Sequence, residues 1–189
     1  DAQGNSMVAE WIDGKLNIYD NPLGVMTNEP PLPGHWANMR NYVNLSADMK
    51  SALELNGVTI KGTGNGSGLL GLPGDCTPPS RFVRTAVLGK FAYQPKDAAE
   101  AVVFARHLLN QVDVMPGVSR AKTPQGEVAD YTQWTAIEDL TNRVLYFADY
   151  GDQTLRAIDL KKLDFTRSDY AAIPVSTPSG NAVKDVTPR

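Results

Sequence analysis

SMVAEWIDGKLNIY, residues 6–19, is the stretch from which the fold class is read. Ser6–Ile12 partly alternates apolar and polar residues, Asp13-Gly14 is a strong two-residue turn, and Lys15–Tyr19 returns, so a β-hairpin is predicted. At the far end of the chain three more β-like runs follow one another, Thr132–Ile137, Arg143–Ala148 and Leu155–Asp159, joined by turns at Asp139–Asn142 and Tyr150–Gln153. Two helices are predicted between these strand groups. Ser80 caps one that runs to Lys90, with Pro78 and Pro79 just ahead of it, where proline is tolerated. Asp97 caps a stronger one to Val112, with Ala101, Phe104, Ala105 and Leu108 on one face, and Pro116-Gly117 closes that region. Strands, two helices and strands again predict an α+β fold with antiparallel sheets, not a doubly wound parallel sheet.

The segments in between are less regular. Val25–Thr27 reads as the end of a strand leading into Asn28, and residues 29–34, EPPLPG, as rigid and helix-breaking. Trp36–Leu45 carries helical spacing at Trp36, Met39 and Tyr42/Val43. Residues 56–75, NGVTIKGTGNGSGLLGLPGD, read as one long functional loop punctuated by leucines. Residues 1–175 are expected to belong to a single domain, and residues 176–189 to a loose polar tail.

Composition narrows the chemistry. With 42% hydrophobic residues the chain has material for a sizeable core. Its net charge of −3, with no basic block, does not support a nucleic-acid surface. No apolar run approaches a membrane span, and DAQGNSMVAE is not a signal peptide. Cys76 is the single cysteine, which rules out an internal disulfide and a cysteine-rich metal site. Two histidines, His35 and His107, are too few for a three-histidine zinc site. The acidic residues Glu10, Asp20, Glu29, Asp75 and Asp149 lack metal-ligand spacing, and GTGNGSG lacks the Gly-Lys-Ser/Thr ending of a phosphate loop. No metal and no cofactor are expected.

Two places remain where these residue types suggest chemistry. Asn28, held by the prolines after it, could aim its amide at a developing oxyanion, or it could simply cap a turn, which local sequence favours. Arg81 stands at a helix start, against the macrodipole preference. It could hold a carboxylate or stabilise a thiolate, and a surface pair with Asp75 is at least as good a reading. Cys76 reads as a small buried hydrophobe rather than a nucleophile. His35 reads as a locally hydrogen-bonded loop residue, with a pocket-facing position as the alternative, and His107 as structural. No GxSxG-type elbow supports serine catalysis.

Four separated motifs, in order and spacing, resemble the choloylglycine hydrolases, the family of bile salt hydrolases and penicillin V acylases. They are Thr27-Asn28-Glu29-Pro30, Asn38-Met39-Arg40-Asn41-Tyr42, Gly71-Leu72-Pro73-Gly74-Asp75 and Ser80-Arg81-Phe82. The hairpin opening SMVAEWIDGK is similar too, and the likeness runs from residue 1 to about residue 165. LRAIDLKKLDF resembles the longer-tailed bacterial branch.

The resemblance implies an N-terminal-nucleophile αββα sandwich, in which a processed N-terminal cysteine attacks an amide and its own α-amino group serves as base. An amine titrating near neutrality suits that task, and no histidine is required. By motif, Asn28 would be the oxyanion-hole amide and Arg81 the cation beside the nucleophile. The substrate would be a small-molecule N-acyl amide with a bulky apolar acyl part, such as a conjugated bile salt, penicillin V or an acyl homoserine lactone. Residue 1 is Asp, and Cys76 stands after GLPGD where the family usually has an aromatic, so neither inherits the nucleophile's role. The expected partner is therefore an N-terminal portion of the same protein carrying the nucleophile, and this chain alone is expected to be inactive. A homo-oligomer is expected, with the bacterial periplasm favoured over the cytoplasm and no nucleic-acid or membrane partner. The alternatives are a non-catalytic binding or structural domain that keeps the fold, and, last, an enzyme that pairs Cys76 with a histidine.

Overall fold

A computed structural model describes residues 3–169 and 172–176. It divides into two compact units, Asp1–Gln94 with Asn110–Val112, and Pro95–Leu109 with Asp113–Arg189. Every strand pairing is antiparallel, and the described residues hold three α-helices where the sequence suggested two and a shorter helical stretch.

The first unit opens with the predicted hairpin, β1 (Met7–Ile12) and β2 (Lys15–Asp20), in the register Ala9 opposite Ile18 and Trp11 opposite Leu16. Asp13 and Gly14 both take positive φ, which is what a twisted two-residue turn requires. The period of two sorts the side chains. Met7, Trp11, Leu16 and Ile18 share one exposed face, while Val8, Glu10 and Tyr19 are half-buried on the other.

Val25–Thr27 is not a strand here, because no neighbouring segment among the described residues offers it a ladder of hydrogen bonds. The proline-rich segment likewise departs from expectation. Helix α1 (Leu32–Met39) begins four residues before Trp36 and includes Pro33 in its first turn. A helix leaves its first N–H groups without internal acceptors, so a missing one there costs little. The Leu32 N–H is met by Glu10 Oε2 at 3.0 Å, a carboxylate from the hairpin at the positive end of the helix. A 3-10 turn, Arg40–Tyr42, continues the chain.

Residues 56–75 are more structured than a loop. Strands β3 (Leu53–Leu55) and β4 (Val58–Ile60) close over Asn56-Gly57, both at positive φ, and a 3-10 turn, Ser67–Leu69, follows. The Asn-Gly pair between apolar residues was the available signal. The glycine that matters most for packing is Gly68. A Cβ there would sit 2.2 Å from the Asp48 carbonyl oxygen and 2.4 Å from that of Ser46, while its own carbonyl accepts from the Ser46 N–H at 3.0 Å.

Helix α2 (Pro78–Phe91) starts at the two prolines, with Thr77 rather than Ser80 in the capping position. The core of this unit forms where α1 meets α2. Leu32, His35, Phe82 and Val83 are fully buried, with Val87 close behind.

The second unit contains α3 (Ala98–Asn110) up to Leu109. Asp97 Oδ1 accepts the Glu100 N–H and Glu100 Oε2 accepts the Lys96 N–H, each at 2.9 Å, as the predicted cap requires. A hairpin that the sequence reading missed, β5 (Ser119–Thr123) with β6 (Gly126–Asp130), turns at Pro124-Gln125. The three predicted runs form the meander β7 (Trp134–Asp139), β8 (Val144–Asp149) and β9 (Arg156–Asp159). Phe147 and Ala148 are its buried centre, and the Arg156 guanidinium lies 4.5 Å over the Phe147 ring while donating to Asp149 Oδ2 at 2.8 Å. A groove of about 1030 Å³ is lined by Trp134, Leu145, Phe147, Ile158, Phe165 and Ile173 among others. The tail from residue 177 onward, like residues 1, 2, 170 and 171, lies outside the described residues.

Replacing Gly68 by Ala should destabilise the protein by about 1–3 kcal/mol, because two backbone carbonyls must move to admit one methyl. Urea denaturation would measure it, and an unchanged midpoint would refute the close packing.

Candidate active site

Asn28 lies in the loop between β2 and α1, followed by a cis Glu29–Pro30 peptide, and Arg81 lies at the start of α2. The fold brings these residues together across 53 positions of sequence. Arg81 Nη2 donates to Asn28 Oδ1 at 2.5 Å, and Arg81 Nε donates to the Cys76 carbonyl at 3.1 Å. A guanidinium has donors only, so the amide atom facing it must be the oxygen. The Asn28 NH2 is thereby turned away from Arg81, on an exposed side chain, with its dipole fixed by a charge-assisted bond. A turn cap alone would not need this. The pair was not legible locally, because nothing in either motif shows that residue 28 meets residue 81.

Asp75 does not pair with Arg81. Its carboxylate accepts from Ser80 Oγ at 2.6 Å, Thr77 Oγ1 at 2.5 Å and the Thr77 N–H at 2.9 Å. The Ser80 hydroxyl first, then the Thr77 hydroxyl and N–H, hold its pKa down to about 2. Ser80, expected to cap α2, is instead a buried tie between the helix and the GLPGD loop. Arg84 fastens that loop from inside. It is buried and donates to the carbonyls of Pro73 at 2.8 Å, Asp75 at 2.7 Å and Gln111 at 3.0 Å. These ties fix the entry to α2, and with it Arg81. Cys76 is half-buried and enters this network through its backbone carbonyl.

His35 is not a loop residue. It sits on α1, fully buried, its ring stacked on Phe82 at 4.5 Å between centroids and 3° between planes. Its Nε2 lies 3.3 Å from Thr27 Oγ1, and that hydroxyl donates to the Pro78 carbonyl at 2.8 Å. Burial lowers the His35 pKa below 6.5, and Arg81 acts in the same direction. The Asn28 main chain and Glu10 pull it up by less. Nδ1 has no hydrogen-bond partner of ordinary geometry. Thr27 and His35 adjoin the Asn28–Arg81 pair, which neither motif had indicated. Their spacing of eight residues across a proline-rich segment carries no pattern. His107, by contrast, is exposed on α3 in the other unit.

Residues 1–173 match the model of the linear amide C–N hydrolases, choloylglycine hydrolase family, and the chain belongs to that family. It is 37% identical over 163 residues to a bile salt hydrolase/transferase of Clostridium perfringens, covering 86% of this chain and 48% of that one. A second bile salt hydrolase/transferase, from Bifidobacterium longum, is 28% identical over 168 residues, covering 89% and 52%. Among solved structures, a variant of conjugated bile acid hydrolase from Clostridium perfringens superposes with a TM-score of 0.82 at 31% identity, over 99% of this chain and 55% of that one. Penicillin V acylase from Agrobacterium tumefaciens shares the fold at 23% identity, with a TM-score of 0.65 over 87% and 44%. The chain thus spans about half the length of the curated relatives it matches. The α+β, antiparallel class expected from the sequence is the one these structures share.

The buried, neutral His35 ring gives a pH prediction with a defined sign. The unfolded chain takes up a proton near pH 6.5 that the folded ring resists, so this stability is present above 6.5 and is lost as the pH falls below it. Wild-type stability should therefore decline on acidification below pH 6.5 more steeply than that of His35→Gln. Parallel pH profiles for the two would contradict it.

Proposed function

We propose that residues 1–189 supply the oxyanion-stabilising half of an amidase that cleaves the linear amide bond of N-acyl small molecules. The proposed substrates are of the conjugated bile salt or penicillin V type. The observation that carries this reading is the Asn28 amide, whose oxygen is occupied by Arg81 and whose NH2 is left to donate. When a nucleophile adds to a carbonyl, negative charge builds on the oxygen. A preoriented neutral donor then stabilises the tetrahedral intermediate without having to reorganise. The guanidinium on Oδ1 also draws electron density from the amide, which makes the NH2 a stronger donor. The same positive charge, beside the reacting centre, favours a thiolate over a thiol.

The nucleophile in this proposal is a processed N-terminal cysteine whose α-amino group accepts its proton. It is supplied by a part of the polypeptide other than residues 1–189. Exposed apolar surface supports such a partner. Met7, Trp11, Leu16 and Ile18 present one uncovered sheet face, each at least half exposed. A contiguous apolar face of this kind marks a surface that another segment covers. The partner segment would cover this face and complete the site. Residues 1–189 by themselves would hydrolyse nothing.

In the full-length protein, Asn28→Ala should lower kcat by roughly a hundred- to a thousand-fold with a far smaller effect on melting temperature. Steady-state hydrolysis of glycocholate and penicillin V measures it, and a near-normal kcat would remove the oxyanion role. Arg81→Lys should also lose most activity, since a point charge on a flexible stem cannot hold both Asn28 Oδ1 and the Cys76 carbonyl as the planar fork does. Recovery of wild-type kcat by lysine would show that charge alone suffices.

A further inference from the structure

We propose that His35 is a positioning residue for the amidase reaction, acting through Thr27 to hold Asn28 in register with Arg81; this rests on the function proposed above. The chemistry of one hydroxyl leads to it. Thr27 Oγ1 has a single proton and gives it to the Pro78 carbonyl at 2.8 Å. The contact between Thr27 Oγ1 and His35 Nε2 must then run the other way, with the ring N–H donating and the hydroxyl accepting. That fixes the neutral tautomer with its proton on Nε2. Burial keeps the ring in that neutral form.

Each end of this relay adjoins a site residue. Thr27 immediately precedes Asn28. Pro78 opens the helical turn that holds Arg81, and the Arg81 N–H bonds back to the Thr77 carbonyl at 2.9 Å. Phe82, stacked on the other side of the ring, immediately follows Arg81. One buried ring thus touches the neighbours of both members of the Asn28–Arg81 pair without touching the reacting atoms. Stacking alone would not call for histidine. A purely apolar ring would fill the space without leaving Nδ1 buried and unpartnered. The Nε2–H is what histidine adds, and its work is to orient the Thr27 hydroxyl.

The test uses the full-length protein and steady-state kinetics on glycocholate and penicillin V. His35→Phe keeps a stacking ring and removes the donor, whereas His35→Gln keeps an N–H at similar reach and removes the ring. His35→Phe should lower kcat tenfold or more with KM within twofold, because a displaced oxyanion donor is missed only in the transition state. His35→Gln should recover most of that loss. Thr27→Val should reproduce the loss, Thr27→Ser should restore activity, and the double variant with His35→Phe should fall no further than either alone.

A folded His35→Phe enzyme with kcat within twofold of wild type would overturn the proposal. So would equal losses in His35→Phe and His35→Gln that follow their melting temperatures. If His35→Phe does not fold, Thr27→Val decides, and a normal kcat there overturns the proposal. If the wild-type protein hydrolyses no amide, the proposed function fails on its own. The positioning claim is then read from the Asn28 side-chain amide resonance in wild type and Thr27→Val. A shift supports it and an unmoved resonance refutes it.

Discussion

The contact on which the candidate site depends is the one between Arg81 and Asn28. A charged donor on Oδ1 at 2.5 Å settles which end of a symmetric-looking amide points where, and so determines what the other end is free to do. Most of the nearby structure serves the placement of these two groups. Arg84, buried under the GLPGD loop, gathers three carbonyls and fixes the approach to α2. Asp75 ties Thr77 and Ser80 together at the helix entry, so it is not available as a partner for Arg81. On the opposite side, the Thr27 hydroxyl joins the loop that carries Asn28 to the first residue of α2.

The sequence was most legible where local chemistry and fold agree. Asp13-Gly14 between alternating residues specified the first hairpin because positive φ at two successive positions is the requirement of that turn. Asp97 specified the start of α3 by the same kind of local logic. It was least legible where a local preference was overridden or a partner was distant. The prolines ahead of His35 read as a break, yet they sit where a helix has no use for the missing N–H, and α1 simply begins there. Asn56-Gly57 and Pro124-Gln125 were lost inside longer loops although each closes a hairpin. The site itself was visible only as separate motifs. Asn28 had a turn cap as its simplest reading and Arg81 a surface pair, and only their meeting across 53 residues separates those readings from a site.

The exposed hairpin face belongs to the same picture. In β1 and β2 the alternation that defines the strands also produces an apolar stripe of Met7, Trp11, Leu16 and Ile18, and nothing else in this unit covers it among the described residues. The second unit turns the apolar face of β7, β8 and β9 toward its groove. An oriented amide and an uncovered sheet face are physically consistent with a division of labour. In the function proposed above, this part would hold the oxyanion donor and its charge, and the nucleophile would come from elsewhere in the polypeptide.

The most direct test is a crystal structure of the full-length protein with the acyl product of hydrolysis bound. The account requires the Asn28 NH2 to lie about 2.7–3.1 Å from a carboxylate oxygen of the product, with Oδ1 still held by Arg81. A product oxygen bound by other donors, with the Asn28 amide turned to solvent or flipped from Arg81, would contradict it.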